Sequence, residues 1–195
     1  MPPSPRGKDD TRGQPRARRA ARGGEERAMA RGSPRRKDRE MAAEDVDGLL
    51  GEALVGRVGT VDAHGTPYVV PLNFVYDRPS RTVFLHCATS GHLLENLANN
   101  PRVCFEVDEP GEIIATGPDG CSTSQVYRSV IAFGTAAIVQ GREEKEAALR
   151  LFVQKYVDRL MPERQYDPSL NTTDATTVIA VRLETATGKS RPPLQ

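Results

Sequence analysis

Two apolar runs, Val55–Asp62 and Pro67–Asp77, flank the tetrapeptide Ala63-His64-Gly65-Thr66. A short polar turn between runs rich in β-branched and aromatic residues predicts a β-hairpin, with Gly65 free to take a positive φ. The pattern then recurs. Asp77-Arg78-Pro79-Ser80 is a second turn, leading into Thr82–Ala88, and further strand-like runs follow at Arg102–Asp108, Tyr127–Gln140 and Thr176–Glu184. Six strands, most of them consecutive and joined by hairpins, favour antiparallel pairing. A sheet of that size loses its exposed edges by closing into a barrel. The chain has no internal repeat, so the expected class is mainly β, with a few helices.

Three helical segments interrupt the strands. From Ala43 on, Val46, Leu49, Leu50, Ala53 and Leu54 fall at helical spacing, weakened by Gly48 and Gly51. Over His92–Asn100 the stripe is Leu93, Leu94 and Leu97, and Asn99-Asn100-Pro101 stops it. Leu149, Phe152, Val153, Tyr156, Val157 and Leu160 carry the most regular helical spacing in the chain. Residues 109–124 contain Pro110, Gly111, Gly117, Pro118 and Gly120 and read as a mobile loop, and residues 162–174 read as a polar one.

The net charge of +1 conceals a split. Residues 1–40 hold thirteen Lys/Arg against six Asp/Glu, a charge of +7; the remainder holds fourteen against twenty, a charge of −6. Residues 1–34 are rich in Arg, Gly and Pro and nearly empty of large apolar side chains, so they are expected to be a disordered tail. A nucleic-acid arm is the lesser reading, because no aromatic residue is interleaved there to stack on bases. Cys87, Cys104 and Cys121 are odd in number and form no CxxC pair, which argues against a disulfide framework or zinc ribbon and fits a reducing cytoplasm. No apolar run approaches the roughly 20 residues that span a bilayer, and no secretory signal is expected at the charged N-terminus.

The stretch HCATSGHLLENL, His86 to Leu97, carries the chemistry. A metal site is disfavoured, since His86 and His92 lie on different elements with no acidic pattern to complete a ligand set. Ser90, Gly91 and His92 at the head of a helix can hold an anion, through unpaired amides and the positive end of the helix dipole. The plainer alternative is that Ser90 caps the helix. His86 shares a strand face with Phe84 and Ala88. It is either an ordinary structural histidine or a group that works near neutral pH.

PYVVPLNFVYD (Pro67–Asp77), FLHCATSGHLLENLANNPRVCFEVD (Phe84–Asp108) and YRSVIAFGTAAIV (Tyr127–Val139) together resemble the flavin-binding split barrels related to pyridoxamine 5′-phosphate oxidase, and within them the nitroimidazole-reductase branch. RRKDREM (Arg35–Met41) resembles the usual opening of those proteins and Thr187-Gly188-Lys189 their ending, so the resemblance spans about Arg35 to Lys189. It implies a six-stranded antiparallel Greek-key split barrel over residues 35–190, a short C-terminal tail at 191–195, and a homodimer with FMN in grooves at the interface. It implies that Val69, Val70, Pro71, Leu72 and Asn73 lie along the flavin ring. His86, Cys87, Ala88, Ser90, Gly91 and His92 would meet the ribityl chain and phosphate, with Arg128 and Ser129 as further ligands, from the partner subunit if not from the same chain. One departure stands out. The family commonly has Lys directly after the second histidine, where this chain has Leu93, so a charged phosphate contact is missing unless Arg128 or another arginine replaces it.

The function so implied is FMN-dependent reduction of a small, flat, electron-poor substrate such as a nitroimidazole, with His86 in contact with substrate or donating a proton. The alternatives are a flavin- or haem-binding barrel without turnover and a pyridoxamine-phosphate-oxidase-like activity. No GxGxxG motif follows a strand, so the electron donor is unidentified by sequence.

Overall fold

The computed structural model describes residues 34–115, 117–164 and 173–193. The tail expected over residues 1–34 therefore lies outside the described residues except for Pro34, as do the middle of the polar loop and the last two residues. Helix α1 (Ala43–Glu52) leads into β1 (Val55–Val61), β2 (Pro67–Asp77) and β3 (Thr82–Cys87). Helix α2 (His92–Asn99) crosses to β4 (Arg102–Ala115) and β5 (Thr123–Ile138). Helix α3 (Arg142–Phe152) runs on as a π-helical turn, Val153–Asp158, before β6 (Thr177–Arg191).

The six strands close in the order β1-β2-β3-β6-β5-β4, every neighbouring pair antiparallel. Two three-stranded meanders are joined by α2, which carries the chain across so that β4 lies beside β1; the order 4-1-2-3 is a Greek key. The seams between the meanders differ in length from the pairings within the second. β1 meets β4 over three residue pairs, Arg57–Gly59 against Cys104–Glu106, and β3 meets β6 over six, whereas β4 and β5 pair from Arg102 to Ala115.

Alternation along the strands fills the barrel. Val58 from β1, Phe74 from β2, Val83 and Leu85 from β3, Val103, Phe105 and Val107 from β4, Val130 and Ala132 from β5, and Ile179 and Val181 from β6 are buried in one cluster. Phe74 and Phe105 meet edge to face at 4.9 Å, the arrangement aromatic quadrupoles favour. Val46, Leu49 and Leu50 of α1 and Leu93 and Leu97 of α2 complete this core. A smaller core of Val139, Ala148 and Val178, flanked by Phe84 and Leu149, seats α3 on the outside of β3 and β6.

Several boundaries move from those expected. Residues 109–124 are mostly not a loop: β4 continues to Ala115 and β5 begins at Thr123, paired across a bulge between Pro110 and Ile113 that absorbs the Pro-Gly pair. β6 extends past Glu184 to Arg191 because β5 offers it a partner as far as Tyr127. Helix α1 stops before Ala53, and Leu54 is exposed. The opening and closing motifs do meet, since Glu40 bridges Lys189 and the Met41 N–H donates to the Gly188 carbonyl at 3.1 Å. Gly65 has the positive φ the turn requires.

A second bulge interrupts β5 and β6 between Phe133 and Gly134. A Cβ on Gly134 would stand 2.3 Å from the Arg182 carbonyl oxygen, and neither backbone can give way without breaking the ladder. Gly134→Ala is expected to lower stability by about 1–3 kcal/mol. Gly48→Ala, at an open position inside α1, is expected to raise it by about 0.5–1 kcal/mol. Urea-unfolding midpoints of the two variants check both signs.

Candidate functional site

Strand β2 changes partners midway. Pro67–Asn73 pair with β1, and Phe74–Asp77 pair with β3. The side of Pro67–Asn73 turned away from β1 therefore faces no strand. Phe74 fixes which groups lie on that side. Its N–H donates to the Tyr156 hydroxyl (3.0 Å) and its carbonyl accepts from the Lys155 ammonium (3.1 Å), so both point away from β3. Backbone direction alternates along a strand, which turns the groups of Val69, Pro71 and Asn73 to the open edge. Pro71 has no N–H, so the edge presents N–H donors at Val69 and Asn73 and only an acceptor at Pro71. The side chains divide accordingly. Val70 and Leu72 pack on the core, while Pro71 and Asn73 are exposed and Val69 is 60% exposed. Asn73 Nδ2 donates to the Leu54 carbonyl at 3.3 Å.

The end of β3 leads to the head of α2 through Ala88, Thr89 and Ser90, all exposed. The chain turns at Gly91 with φ +139°, a conformation that disfavours any side chain. Gly91, not Ser90, stands at the helix cap. Its carbonyl accepts from the Leu94 and Glu95 amides at 3.0 and 3.1 Å, and no side chain caps the helix. The capping alternative for Ser90 is thus not realised, and Ser90 is exposed in the chain just before the cap. The first amides of α2 have no acceptor within the helix and carry the positive end of its dipole.

Helix α2 is tied to the open edge at two points. The His92 ring meets Tyr68 of β2 edge to face at 4.7 Å. Buried Asn96 donates through Nδ2 to Thr60 Oγ1 at 3.0 Å, and that hydroxyl lies 3.4 Å from the Tyr68 carbonyl. His92 Nδ1 also lies 3.7 Å from the Glu95 carboxylate. Leu93, where the resemblance leads one to expect Lys, is buried in the core, so no flexible cation extends from that position.

His86 lies half-buried on the outer face of β3, its ring 4.6 Å from that of Phe152 and nearly perpendicular to it. With Asn73, Phe152, Val153, Tyr156 and Val157 it lines a cavity of about 270 Å³. Cys87 is half-buried against the core. The structure therefore sets Asn73 and His86 on one cavity and joins the head of α2 to β2 through the His92–Tyr68 contact, while Val70, Leu72 and Cys87 pack against the core and Arg128 and Ser129 lie elsewhere. Arg128 is paired with Glu109 and, at 3.2 Å, with Glu52, and it lines a separate cavity of about 450 Å³ with Met41, Asp45 and Tyr127. Ser129 lies 3.4 Å from the Lys189 carbonyl. Within one chain Arg128 is held by carboxylates and does not reach the joint.

Sequence reasoning missed Lys155. The apolar spacing puts it off the buried stripe, yet it is only 9% exposed, while Leu160, the last residue of that stripe, is exposed. The π turn explains both, because its extra residue shifts the helix face and brings Lys155 inward beside Tyr156.

The family model described as pyridoxamine 5′-phosphate oxidase matches residues 42–190. A 5a,11a-dehydrotetracycline/5a,11a-dehydrooxytetracycline reductase from Streptomyces rimosus is 34% identical over 94 residues, 46% of this chain and 60% of that protein; the match thus spans less than two thirds of the relative's length. Among solved structures, one described as a candidate 5-nitroimidazole antibiotic resistance protein from Bacteroides thetaiotaomicron is 26% identical with a TM-score of 0.64, covering 77% of this chain and 85% of that one. The flavocytochrome Anf3 from Azotobacter vinelandii shares the fold at 23% identity and a TM-score of 0.68, covering 84% of this chain and 75% of that one.

Burial shifts two titrating groups of the site. It lowers the pKa of His86, which favours the neutral ring. It also pushes the Lys155 ammonium down to about 8, with repulsion from Arg159 adding to the effect. The unfolded chain holds that lysine proton up to about 10.4. Between these values the unfolded state binds more protons, so this group makes stability rise as pH rises. The melting temperature of the wild type relative to Lys155→Met is therefore expected to climb from pH 8 to pH 10, as scanning calorimetry can measure; a difference that stays flat or falls would contradict the burial argument.

Proposed function

The chain belongs to the pyridoxamine 5′-phosphate oxidase family, and from that premise we propose that it is an FMN-dependent oxidoreductase that reduces a small, flat, electron-poor substrate of the nitroaromatic type. The observation that carries this reading is the meeting of the open β2 edge with the head of α2. The edge offers donors at Val69 and Asn73 and an acceptor at Pro71, without a formal charge, and so suits the polar rim of a heteroaromatic ring. The amides of His92 and Leu93, the Ser90 hydroxyl and the unencumbered Gly91 backbone suit a phosphate. The His92–Tyr68 contact sets the two kinds of group on neighbouring elements, as a cofactor with a ring at one end and a phosphate at the other requires.

When bound, FMN supplies the hydride or electrons; the chain's residues position it and admit the substrate. Val70 and Leu72 brace the edge from the core side. His86, whose burial favours the neutral ring, is suited to touch the substrate and donate a hydrogen bond from its ring N–H rather than to carry a stored proton. Cys87 and Ala88 carry the chain from His86 to the proposed phosphate end, with Cys87 packed against the core. With Leu93 buried, phosphate affinity rests on amides and hydroxyl alone, unless Arg128 and Ser129 of a second subunit complete the site. That need supports a homodimer, in which Arg128 would exchange Glu109 and Glu52 for the cofactor's phosphate. Two half-buried free thiols, Cys87 and Cys104, fit a cytoplasmic setting. No helix among the described residues is long and apolar enough to cross a membrane.

Titration of the purified protein with FMN, followed by flavin absorbance, is expected to saturate, and Gly91→Val to weaken uptake at least about tenfold because the positive φ disfavours a branched residue. A haem spectrum in place of a flavin one would overturn the cofactor assignment. His86→Ala, loaded with FMN and supplied with a chemical reductant, is expected to reduce 2-methyl-5-nitroimidazole more slowly than the wild type; an equal rate would remove His86 from the substrate site.

A further inference from the structure

The π-helical turn contains a polar device separate from the backbone edge and the helix head. Strand β1 begins at Val55, opposite Asn73, so the backbone groups of Phe74 that point to the β1 side find no strand there. Side chains fill the gap. The Tyr156 hydroxyl accepts from the Phe74 N–H at 3.0 Å and lies 2.8 Å from the Phe74 carbonyl and 2.6 Å from that of Leu54. The Lys155 ammonium donates to the Ala53 carbonyl at 2.6 Å and to the Phe74 carbonyl at 3.1 Å, and stands 4.1 Å from the centroid of the Phe74 ring. Among the described residues no carboxylate pairs with Lys155. Two adjacent residues thus fasten three segments at one point: the end of α1, the start of β1, and β2 where it leaves one partner for another.

A buried ammonium held by carbonyls alone is a costly way to stabilise a fold, since an apolar side chain could fill the same space. What it adds is a fixed position. The residue next to the fastened point is Asn73, the last donor of the open edge. π turns of this kind occur often at functional sites.

We propose that Lys155 and Tyr156 are positioning residues for the cofactor edge, holding the Asn73–Phe74 corner of β2 so that the backbone groups of Val69, Pro71 and Asn73 stand in register for the flavin ring. This rests on the FMN reading of the same site. A ring bound through several backbone groups at once is sensitive to displacements of about 1 Å, and the pin is the contact that sets that displacement.

The test uses the full chain with Lys155→Met and Tyr156→Phe, and as a control Ala148→Gly, which loosens the same helix on its β6 side without touching β2. Both pin variants are expected to weaken FMN binding about tenfold or more and to shift the visible spectrum of the bound flavin, with Ala148→Gly keeping wild-type affinity and spectrum. FMN affinity unchanged in the pin variants would overturn the proposal, and so would an equal loss in Ala148→Gly, which would mark the effect as one of stability alone. A second measurement stands apart from the cofactor. In flavin-free protein, amide exchange at Phe74 is expected to quicken about tenfold in Lys155→Met relative to Val130; Lys155 bonds the Phe74 carbonyl and not its N–H, so a faster amide reports movement of the corner. Wild-type protein that takes up no FMN would refute the cofactor reading, and the exchange result would still decide whether the pin holds the corner; unchanged exchange overturns it.

Discussion

The partner change of β2 between Asn73 and Phe74 is the constraint on which the rest of the molecule depends. A strand that stayed with β1 throughout would leave β3 paired with β6 alone and the barrel open between β2 and β3, and one paired with β3 throughout would cover the side of Pro67–Asn73 that now stands open. The compromise bares a run of backbone groups on one side of Pro67–Asn73 and leaves the groups of Phe74 without a strand on the other. The first is a binding surface only if something occupies it. The second is a defect that must be repaired inside the protein, because unpaired backbone groups at a buried position cost about 1–3 kcal/mol each. Tyr156 and Lys155 make that repair, and they come from an element, α3 and its π turn, that otherwise only covers the outside of β3 and β6.

Both ends of the open edge are held by polar contacts within an apolar core, and by different chemistry. Near Tyr68 the link is neutral: Asn96 to Thr60, with Thr60 beside the Tyr68 carbonyl. At Asn73 it includes a charge. The neutral link also fixes the rotation of α2, since Asn96 lies on the same face as Leu93 and Leu97, about one turn from the free amides of His92 and Leu93. Sliding α2 by one residue would strand a buried amide and turn the helix head away from the edge. In this part of the structure, polar satisfaction in the core sets the geometry of the surface.

Much of this was legible in the chain and some was not, for identifiable reasons. Strand alternation at Val103, Phe105 and Val107, and the turn at Gly65, declared themselves because the barrel has one buried face and a period-2 strand cannot hide it. The joint from His86 to His92 was legible as strand, turn and helix. The extension of β4 and β5 beyond Asp108 and before Tyr127 was not, because that hairpin arm lies largely outside the core. Its side chains are mostly exposed, Ile113 at 74%, so no alternation marks it, and its Pro and Gly residues sit in a bulge rather than in a loop. Ser90 was a reasonable cap by residue type, but the cap position falls to Gly91, the residue that can take φ +139°. The π turn escaped because helical periodicity assumes 3.6 residues per turn. One added residue turns Lys155 inward, a position hydropathy would never assign to it.

The placement of Lys155 bears on how the proposed site, with apolar Leu93 at the head of α2, can be selective. Leu93 gives α2 a firmer seat in the core than a lysine could, since a charge buried there would have no partner. The buried cation of this region stands instead at the Asn73 end of the edge, where Lys155 bonds backbone carbonyls. A flexible surface lysine gains affinity through charge but imposes little geometry, being a point charge on a rotating stem. Amides fixed in a helix head and in a strand pinned at both ends impose geometry first, and their ordering cost is met when the chain folds rather than when a ligand arrives. A site built this way discriminates by shape and hydrogen-bond register. That makes the rigidity of the β2 edge the property on which its chemistry turns.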